Sequence, residues 1–335
     1  MMLAMVCRMA GVREVAQRCQ DLLGTRNFSS LTQALCRASG VRFLMALIGR
    51  LESQTSYVRG ELVALDSMAL VIARTRRHKC EKYNDKTVGG GVLWSYRIKA
   101  PKIGSPVRLL KLIRGAWNDS TFMQSIKLVP DCPVYLMDRG FYSIDNISLW
   151  LERKVRFIIR VRKTKLMYEI VRSLTPPGKL KRGWRLELDA IVTLGSPKRR
   201  SSRPTVRLII ACNASGEQFI YATSENRETK SAQQVVDNYK MRWHIERFHR
   251  FMKEQIGLAH IYSYNATGLE FLLLTALLSA MLLFNRRKAK AGFDSITVLT
   301  KALRKTREEL DVKPVWRRNI QPAVRAKTKA SPSPN

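Results

Sequence analysis

Acidic side chains are scarce in this sequence, which has 26 Asp and Glu against 60 Lys and Arg in 335 residues. The formal net charge at pH 7 is therefore +34. A chain with this excess of one sign repels itself, and the usual counterweight is a polyanion, most often nucleic acid. The cations are spread along the whole chain and not along one amphipathic helix, which disfavours a membrane surface as the partner. We expect nucleic-acid binding, with a merely soluble basic protein as the alternative.

Cysteine and histidine are few, and their spacing disfavours a zinc site. The six cysteines contain no Cys-x-x-Cys pair, and the four histidines do not complete a zinc-binding spacing. His78 and Cys80 form one isolated His-x-Cys, which we interpret as coincidence. Cysteines without close partners are typical of a reducing compartment, so we expect a cytoplasmic protein.

Long apolar runs are also missing. The first residues lack an apolar stretch long enough for a signal peptide. The run from Leu269 to Phe284 has about 16 residues and contains Glu270, whereas about 20 apolar residues are needed to span a membrane. We predict a buried helix there and no membrane association.

The patterns that are present predict an α/β fold. Five short runs rich in β-branched or aromatic residues predict strands, at 61–66, 91–98, 107–115, 133–138 and 155–162. Helical spacing follows at 118–128, with Asn118 or Asp119 as the cap, and at 143–154, with Ser143 as the N-cap. Residues 1–60 have the interleaved basic and apolar residues of a helical region.

A change of character begins near residue 164. Strand-like runs alternate with Gly, Ser, Pro and Asn turns over 164–230, which predicts an antiparallel β insertion with a basic loop at 196–204. Ser231 and Gln234 then have the spacing of a capping box and open a long helix, for which Gly257 is a natural end. The Lys- and Arg-rich tail beyond about residue 291 is predicted to be disordered.

Two of the predicted strands end in aspartate, namely Asp66 and Asp138. Ligands gather at the carboxyl ends of strands in open α/β sheets, so neighbouring strands would bring these carboxylates together. Like charges repel unless a cation lies between them, and hard oxygen ligands suit Mg²⁺ or Mn²⁺. Gly140 is expected to let the chain leave the second strand sharply because glycine has a permissive backbone. An aspartate at a strand end can equally be a turn residue or a helix cap.

The segment 239–253, "YKMRWHIERFHRFMK", carries one glutamate among many cations. On a helix with about 100° per residue, Tyr239, Arg242, Glu246 and Lys253 fall within an arc of roughly 60°. A separate apolar stripe is formed by Met241, Ile245, Phe248, Met252 and Ile256. Glu246 is therefore a candidate third carboxylate, and three carboxylates could hold two metal ions about 4 Å apart. The alternative is a solvated face with a Glu246–Arg250 ion pair, and Glu61, Asp85 and Asp119 compete for the place of the first carboxylate.

The same residues carry a family resemblance. The spacing of four residues is similar to the Tyr-Arg-Glu-Lys signature of bacterial insertion-sequence transposases of the DDE type. Two residues separate Tyr239 from Arg242, three separate Arg242 from Glu246, and six separate Glu246 from Lys253. The stretch 135–143, "YLMDRGFYS", resembles the second-aspartate motif of that family, and 61–67, "ELVALDS", resembles the first. The resemblance covers roughly residues 60–290. The first motif departs from the commoner Asp-x-Thr, and only 65 residues precede Asp66.

What the resemblance implies is an RNase H-like mixed sheet flanked by helices and interrupted by the β insertion. The implied domains are an N-terminal helical DNA-binding region (1–60), a split catalytic domain (61–163 and 231–290), the insertion (164–230) and a basic tail (291–335). Asp66, Asp138 and Glu246 would be the catalytic ligands of two Mg²⁺ or Mn²⁺ ions. Tyr239, Arg242, Lys253 and Arg250 would contact DNA, and Trp184 is the candidate for stacking on a flipped base, with an ordinary core tryptophan as the alternative.

The resemblance also implies the partners and the reaction. The protein would cleave double-stranded DNA at the terminal inverted repeats of its element and join the ends to target DNA. It would act as a homodimer in a synaptic complex and be associated with the bacterial nucleoid. Two alternatives stay open: a catalytically silent DNA-binding relative, and a metal-dependent nuclease without strand transfer.

Overall fold

The structure is a computed structural model that describes residues 37–54, 56–71, 82–83, 86–98, 106–113, 119–198, 203–256, 258 and 266–285. The predictions made for residues 1–36, for Asn118, for Gly257 and for the tail lie outside the described residues, as do His78, Cys80 and Asp85. Within these ranges the chain forms eleven strands: β1 Leu62–Val71, β2 Lys82–Tyr83, β3 Lys86–Arg97, β4 Val107–Ile113, β5 Val134–Met137, β6 Arg156–Arg160, β7 Tyr168–Thr175, β8 Gly178–Lys179, β9 Arg185–Leu194, β10 Thr205–Cys212 and β11 Gln218–Thr223. The same described residues form six α-helices: α1 Ala38–Ser53, α2 Asp119–Met123, α3 Ile144–Glu152, α4 Ala232–Lys240, α5 Trp243–Glu254 and α6 Ala266–Asn285.

The described strands form one mixed sheet in the order β2-β3-β1-β5-β6-β11-β10-β9-β7, with β4 beside β3 and β8 beside β9. β1 is antiparallel to β3 but parallel to β5, and β5 is parallel to β6. The two parallel pairs are central, and β5 is buried along its whole length, as expected for strands covered on both faces. The predicted α/β class with a mixed sheet and flanking helices is confirmed.

Helices cover both faces of the sheet. One face packs Ala64, Leu136 and Ile158 against α4, α5 and α6, including Phe248. The opposite face packs the alternate residues of the same strands against α2 and α3. This alternation follows from the period of two along a strand, and it determines which strand residues can face α5.

The apolar run near the carboxyl end of the described chain is a buried helix, as predicted. In α6, Leu273, Leu277 and Met281 are at most 1% exposed. A helix that is apolar on all sides must be buried, and the hydroxyls of Thr275 and Ser279 donate to the carbonyls four residues earlier. None of the helices in the described ranges is both long enough and apolar enough to cross a membrane.

Local helix signals were accurate at the amino ends. The Ser143 hydroxyl accepts from the Asn146 N–H, and Ser231 and Gln234 form the predicted capping box. The helix predicted at 118–128 is wrong beyond Met123, because Ser125 and Ile126 bond three residues back and close a tight turn.

The single long helix predicted from 231 to 257 is also wrong. It is divided into α4 and α5 at Met241 and Arg242, whose N–H groups bond the carbonyls of Asn238 and Tyr239, three residues earlier. Met241 lies at this break and is 37% exposed, so it is not part of a buried stripe, whereas Ile245, Phe248, Met252 and Ile256 are buried as predicted.

Residues 164–230 contribute β7 to β11, all paired antiparallel, and these strands continue the main sheet because β11 pairs with β6. A fully buried ion pair lies within them, where Arg207 donates to both carboxylate oxygens of Asp189 at 2.7 and 2.9 Å. Arg207 also donates to the carbonyls of Glu225 and Lys230, which ties these strands to the segment leading into α4.

Candidate active site

The two predicted aspartates lie side by side, but for a reason that differs from the prediction at Asp66. β1 does not end there; it continues to Val71 in pairing with β3. What ends is the parallel pairing of β1 with β5, at Leu65 opposite Met137. The following residues, Asp66 and Asp138, are therefore neighbours at the carboxyl edge of the parallel strands. Both lie on the sheet face that carries Ala64 and Leu136, which is the face covered by α4 and α5.

The helix α5 brings Glu246 to this edge, and Arg242 lies between the acidic residues. The Nη1 atom of Arg242 is 3.7 Å from Oδ2 of Asp66, and its Nη2 atom donates to Oε1 of Glu246. Burial opposes a rise in the pKa of Arg242, but the pKa is raised by Tyr239 and then by the charges of Asp66, Asp138 and Glu246. Two of the three predicted carboxylates thus contact one guanidinium, and Asp138 lies within range of its charge. The alternative pairing of Glu246 with Arg250 is replaced by pairing with Arg242.

No ready-made metal cage is found in the described ranges, where no group of three or more His, Cys, Asp or Glu side chains lies close enough to hold a metal ion. The donor set nevertheless suits a hard divalent cation, since it consists of carboxylates. Burial raises the pKa of Asp66 to about 7, Arg242 opposes this rise, and the negative charges of Asp138 and Asp119 add to it. A divalent cation beside Asp66 would favour its charged form, as Arg242 does, so the carboxylate donors are compatible with such an ion.

His249 is a neighbour of Asp66 that sequence reasoning missed. Its Nδ1 atom is 3.7 Å from Oδ2 of Asp66, and its ring centroid is 6.3 Å from that of Trp94. Burial lowers the pKa of His249 to about 3, and the cations Lys253 and Arg242 contribute to the same shift. The imidazole is therefore neutral near pH 7. The only signal in the sequence was its place three residues after Glu246, on the adjacent turn of the helix.

Asp119 is a further acidic residue at this edge, which the sequence offered only as a competing candidate. Its carboxylate packs against Gly140, in the turn that follows Asp138. Gly140 does not have a positive φ, so the expectation that it serves a special backbone conformation is wrong. Its missing side chain instead leaves room for the carboxylate of Asp119.

A row of aromatic rings leads away from the acidic residues. The ring centroids of Trp184 and Phe219 are 5.0 Å apart, those of Phe219 and Tyr221 are 6.4 Å apart, and those of Tyr221 and Tyr239 are 4.9 Å apart. Trp184 is half-buried in this row, whereas Tyr239 is only 8% exposed and burial raises its pKa.

Cations lie over this aromatic row. Lys240 is 4.1 Å above the ring of Trp184, Arg160 is 4.5 Å from the ring centre of Phe219, and Arg242 is 6.0 Å from that of Tyr239. Arg160 was not predicted, although the register places it beside Asp138, since Met137 pairs with Ile159. Farther along α5, Arg250 and Lys253 are exposed, one and two turns beyond Glu246.

Comparison with known proteins gives matches to a family model, to a curated relative and to solved structures. Residues 115–282 match the family model described as "Transposase DDE domain". A relative from Geobacillus stearothermophilus, "Probable transposase for insertion sequence element IS5377", is 23% identical over 150 residues, which are 45% of this chain and 38% of that protein. The match thus spans well under half of the relative. A solved structure, the "Cryo-EM structure of piggyBac transposase synaptic complex with hairpin DNA", has a TM-score of 0.43 and 13% identity, and the match covers 78% of this chain and 56% of that chain.

Proposed function

Because this chain belongs to the transposase DDE domain family, we propose that it is a DNA transposase that cleaves the ends of an insertion sequence and joins them to target DNA. The observation that carries the proposal is that Asp66 and Glu246 pair with one guanidinium, while Asp138 lies beside Asp66 at the carboxyl edge of the parallel strands. Acidic residues from three distant parts of the chain have no structural need to meet there.

An RNase H-like core is the second part of the proposal. Its support is the strand order β4-β3-β1-β5-β6, in which the first three strands are antiparallel neighbours and the last two are parallel to β1. Residues 61–163 and 231–290 would form this catalytic domain, with 164–230 as a β insertion. The helical region at 1–60 and the basic tail at 291–335 would add contacts to DNA.

We assign the divalent metal ions, Mg²⁺ or Mn²⁺, to Asp66, Asp138 and Glu246. Two bound ions would supply a Lewis acid that activates the attacking oxygen and stabilises the leaving oxygen. The role of the protein is to hold these carboxylates in place: Asp66 is fixed by strand pairing and by the N–H of Ser67, which donates to its Oδ1 at 3.0 Å. Two side chains border Asp66: the neutral ring of His249 lies 3.7 Å from its Oδ2, and Trp94 is its partner across β1 and β3.

The cleavage step would be hydrolysis of one phosphodiester bond, in which water adds to phosphorus and the 3′ oxygen of the element leaves with a proton. Strand transfer would use that 3′ hydroxyl as the nucleophile on a target phosphodiester, so that one ester is exchanged for another. Tyr239, Arg242, Lys253 and Arg250 would hold the phosphates, and Arg160 lies where it can do the same. Trp184 would stack on a base that leaves the duplex.

The biological assembly in this proposal is a homodimer that pairs the two terminal inverted repeats, in the bacterial cytoplasm and on the nucleoid. The two-end reaction requires two active sites. These partner assignments come from the family and from the basic charge of the chain, +34 at pH 7.

The test is cleavage of DNA that carries the ends of the protein's own element, in the presence of Mg²⁺. We expect nicking at the element boundary followed by joined products. Glu246→Gln should abolish nicking and largely spare binding, whereas Glu254→Gln, the same change at an exposed position of α5, should retain both activities. Undiminished nicking by Glu246→Gln would remove this residue from the site.

Two further outcomes distinguish the alternatives. Boundary cleavage without joined products would identify a metal-dependent nuclease. DNA binding that is indifferent to metal, with no cleavage, would identify a catalytically silent relative.

A further inference from the structure

Arg242 lies where the proposed metal ions would need to bind. Its Nη1 atom lies 3.7 Å from Oδ2 of Asp66, and its Nη2 atom donates a hydrogen bond to Oε1 of Glu246. Asp138 is close enough to interact electrostatically with the same guanidinium. The side chain of Arg242 is only 14% exposed and that of Asp66 21%, so water screens this pair less than it screens the pair with Glu246, which is 40% exposed. One cation therefore uses oxygen atoms from two of the three carboxylates.

A guanidinium and a divalent cation compete for such a site in two ways. A carboxylate oxygen that accepts an N–H has less capacity to coordinate a metal ion at the same time. The positive charge of Arg242 also repels an arriving divalent cation at short range. Both effects are removed if the guanidinium turns away.

DNA offers Arg242 a better partner. A guanidinium matches the geometry of phosphate oxygens, and bidentate Arg–phosphate pairs are among the strong charge-assisted hydrogen bonds. The aromatic row that begins at Tyr239 lies beside Arg242, and the cations Lys240 and Arg160 follow it, so a phosphate backbone on this path would pass close to the guanidinium.

We propose that Arg242 holds the place of the divalent ions in the metal-free protein and releases the carboxylates when a DNA phosphate binds its guanidinium. This inference rests on the proposed function and adds a regulation to the same site. Coupling between two ligands is reciprocal, so DNA strengthens metal binding and metal strengthens DNA binding by the same factor. The active centre is then assembled only on DNA.

The test is Mn²⁺ binding to the full-length protein without DNA, measured as free Mn²⁺ by electron paramagnetic resonance. We expect Arg242→Gln to bind Mn²⁺ at least about tenfold more tightly than the wild type, within the usual range of such couplings. Arg242→Lys keeps the positive charge and should stay within about threefold of the wild type, which separates charge from packing. Arg153→Gln, the same change at an exposed residue at the end of α3, should leave the Mn²⁺ affinity unchanged.

A duplex oligonucleotide completes the experiment. It should raise the Mn²⁺ affinity of the wild type about tenfold and raise that of Arg242→Gln much less. Thermal unfolding of each variant checks that it is folded. An unchanged or weakened Mn²⁺ affinity of folded Arg242→Gln without DNA would overturn the inference alone. Failure of the wild type to bind Mn²⁺ even with DNA would instead overturn the proposed function.

Discussion

The carboxylate of Asp119 lies directly against Gly140: its Oδ2 atom is 3.0 Å from the position that a Cβ atom on residue 140 would occupy. Asn146 joins the two segments, because its fully buried Nδ2 donates to the carbonyls of Ser120 at 2.7 Å and Phe141 at 3.1 Å. The start of α2 and the turn after Asp138 are therefore held as one unit, with Asp119 adding negative charge near Asp66.

This contact predicts the effect of Gly140→Ala. The added methyl group would meet the carboxylate at a distance that carbon atoms rarely show, so we expect a loss of about 1–3 kcal/mol in the free energy of unfolding. Urea denaturation measures the change. Because the turn carries Asp138, cleavage should fall as well.

Two further variants check the cause. Asp119→Ala in the Gly140→Ala background should restore most of the lost stability, since the remaining Cβ of residue 119 is 3.8 Å away. Gly49→Ala in α1, where nothing lies within 4 Å, should instead stabilise by about 0.5–1 kcal/mol. If Gly140→Ala lowers the free energy of unfolding equally with Asp119 present and with Asp119→Ala, the contact is not the cause.

Salt should weaken DNA binding steeply, because each phosphate contact releases counterions. We expect Lys253→Gln to reduce the slope of log affinity against log salt by about 1, as for one lost phosphate contact. Fluorescence anisotropy with a labelled duplex measures this slope.

The matched control for Lys253→Gln is Arg153→Gln. Arg153 is exposed at the end of α3, next to Lys154. The carbonyl of Lys154 accepts from the N–H of Asp131, which precedes β5, whereas Asp138 follows that strand at its other end. The slope of log affinity against log salt for Arg153→Gln should equal that of the wild type. A reduction of equal size at both positions would show that overall charge, and not this face of α5, determines binding.

Trp184 has a prediction that separates its two roles. If it stacks on a displaced base, Trp184→Ala should reduce the fluorescence change of 2-aminopurine placed near the element boundary. It should leave Mn²⁺ affinity unchanged. A lower melting temperature with an unaltered 2-aminopurine signal would identify Trp184 as an ordinary packing residue against Phe219.

The buried pair of Asp189 and Arg207 should be costly to break. Asp189→Asn leaves the buried guanidinium without a compensating charge, so we expect a loss of about 3–5 kcal/mol in unfolding free energy. Glu169→Gln removes a partner of Arg203 that is 53% exposed and should cost less than about 1 kcal/mol. Denaturant titration measures the free energy of unfolding of both variants. Similar losses for Asp189→Asn and Glu169→Gln would show that burial does not determine the cost.

Much of the fold was readable because the signals are local. The apolar runs that became β3, β4, β5 and β6 were recognisable from composition, and the caps at Ser143 and Ser231 from spacing of three residues. The break between α4 and α5 was not readable. No Pro or Gly marks it, and it consists of four N–H groups, those of Met241, Arg242, His244 and Ile245, that bond three residues back instead of four.

The candidate site was only partly readable for a related reason. Asp66, Asp138 and Glu246 were predicted as a set from strand ends and from the family signature. His249 and Arg160 were missed as members of the site, and Asp119 was offered only as a competitor for the first carboxylate. Each of the three comes near Asp66 or Asp138 through pairing or packing with a segment remote in sequence.

The sequence by itself determined the basic charge, the strand and helix runs, and the order of the acidic residues along the chain, since each depends on residue type and short-range spacing. Only the tertiary structure decided that Arg242 lies among those acidic residues and that β1 continues past Asp66. Such relationships depend on the register between strands and on how α5 packs across their edge. These are set by the burial of the whole core and cannot be obtained from any one segment.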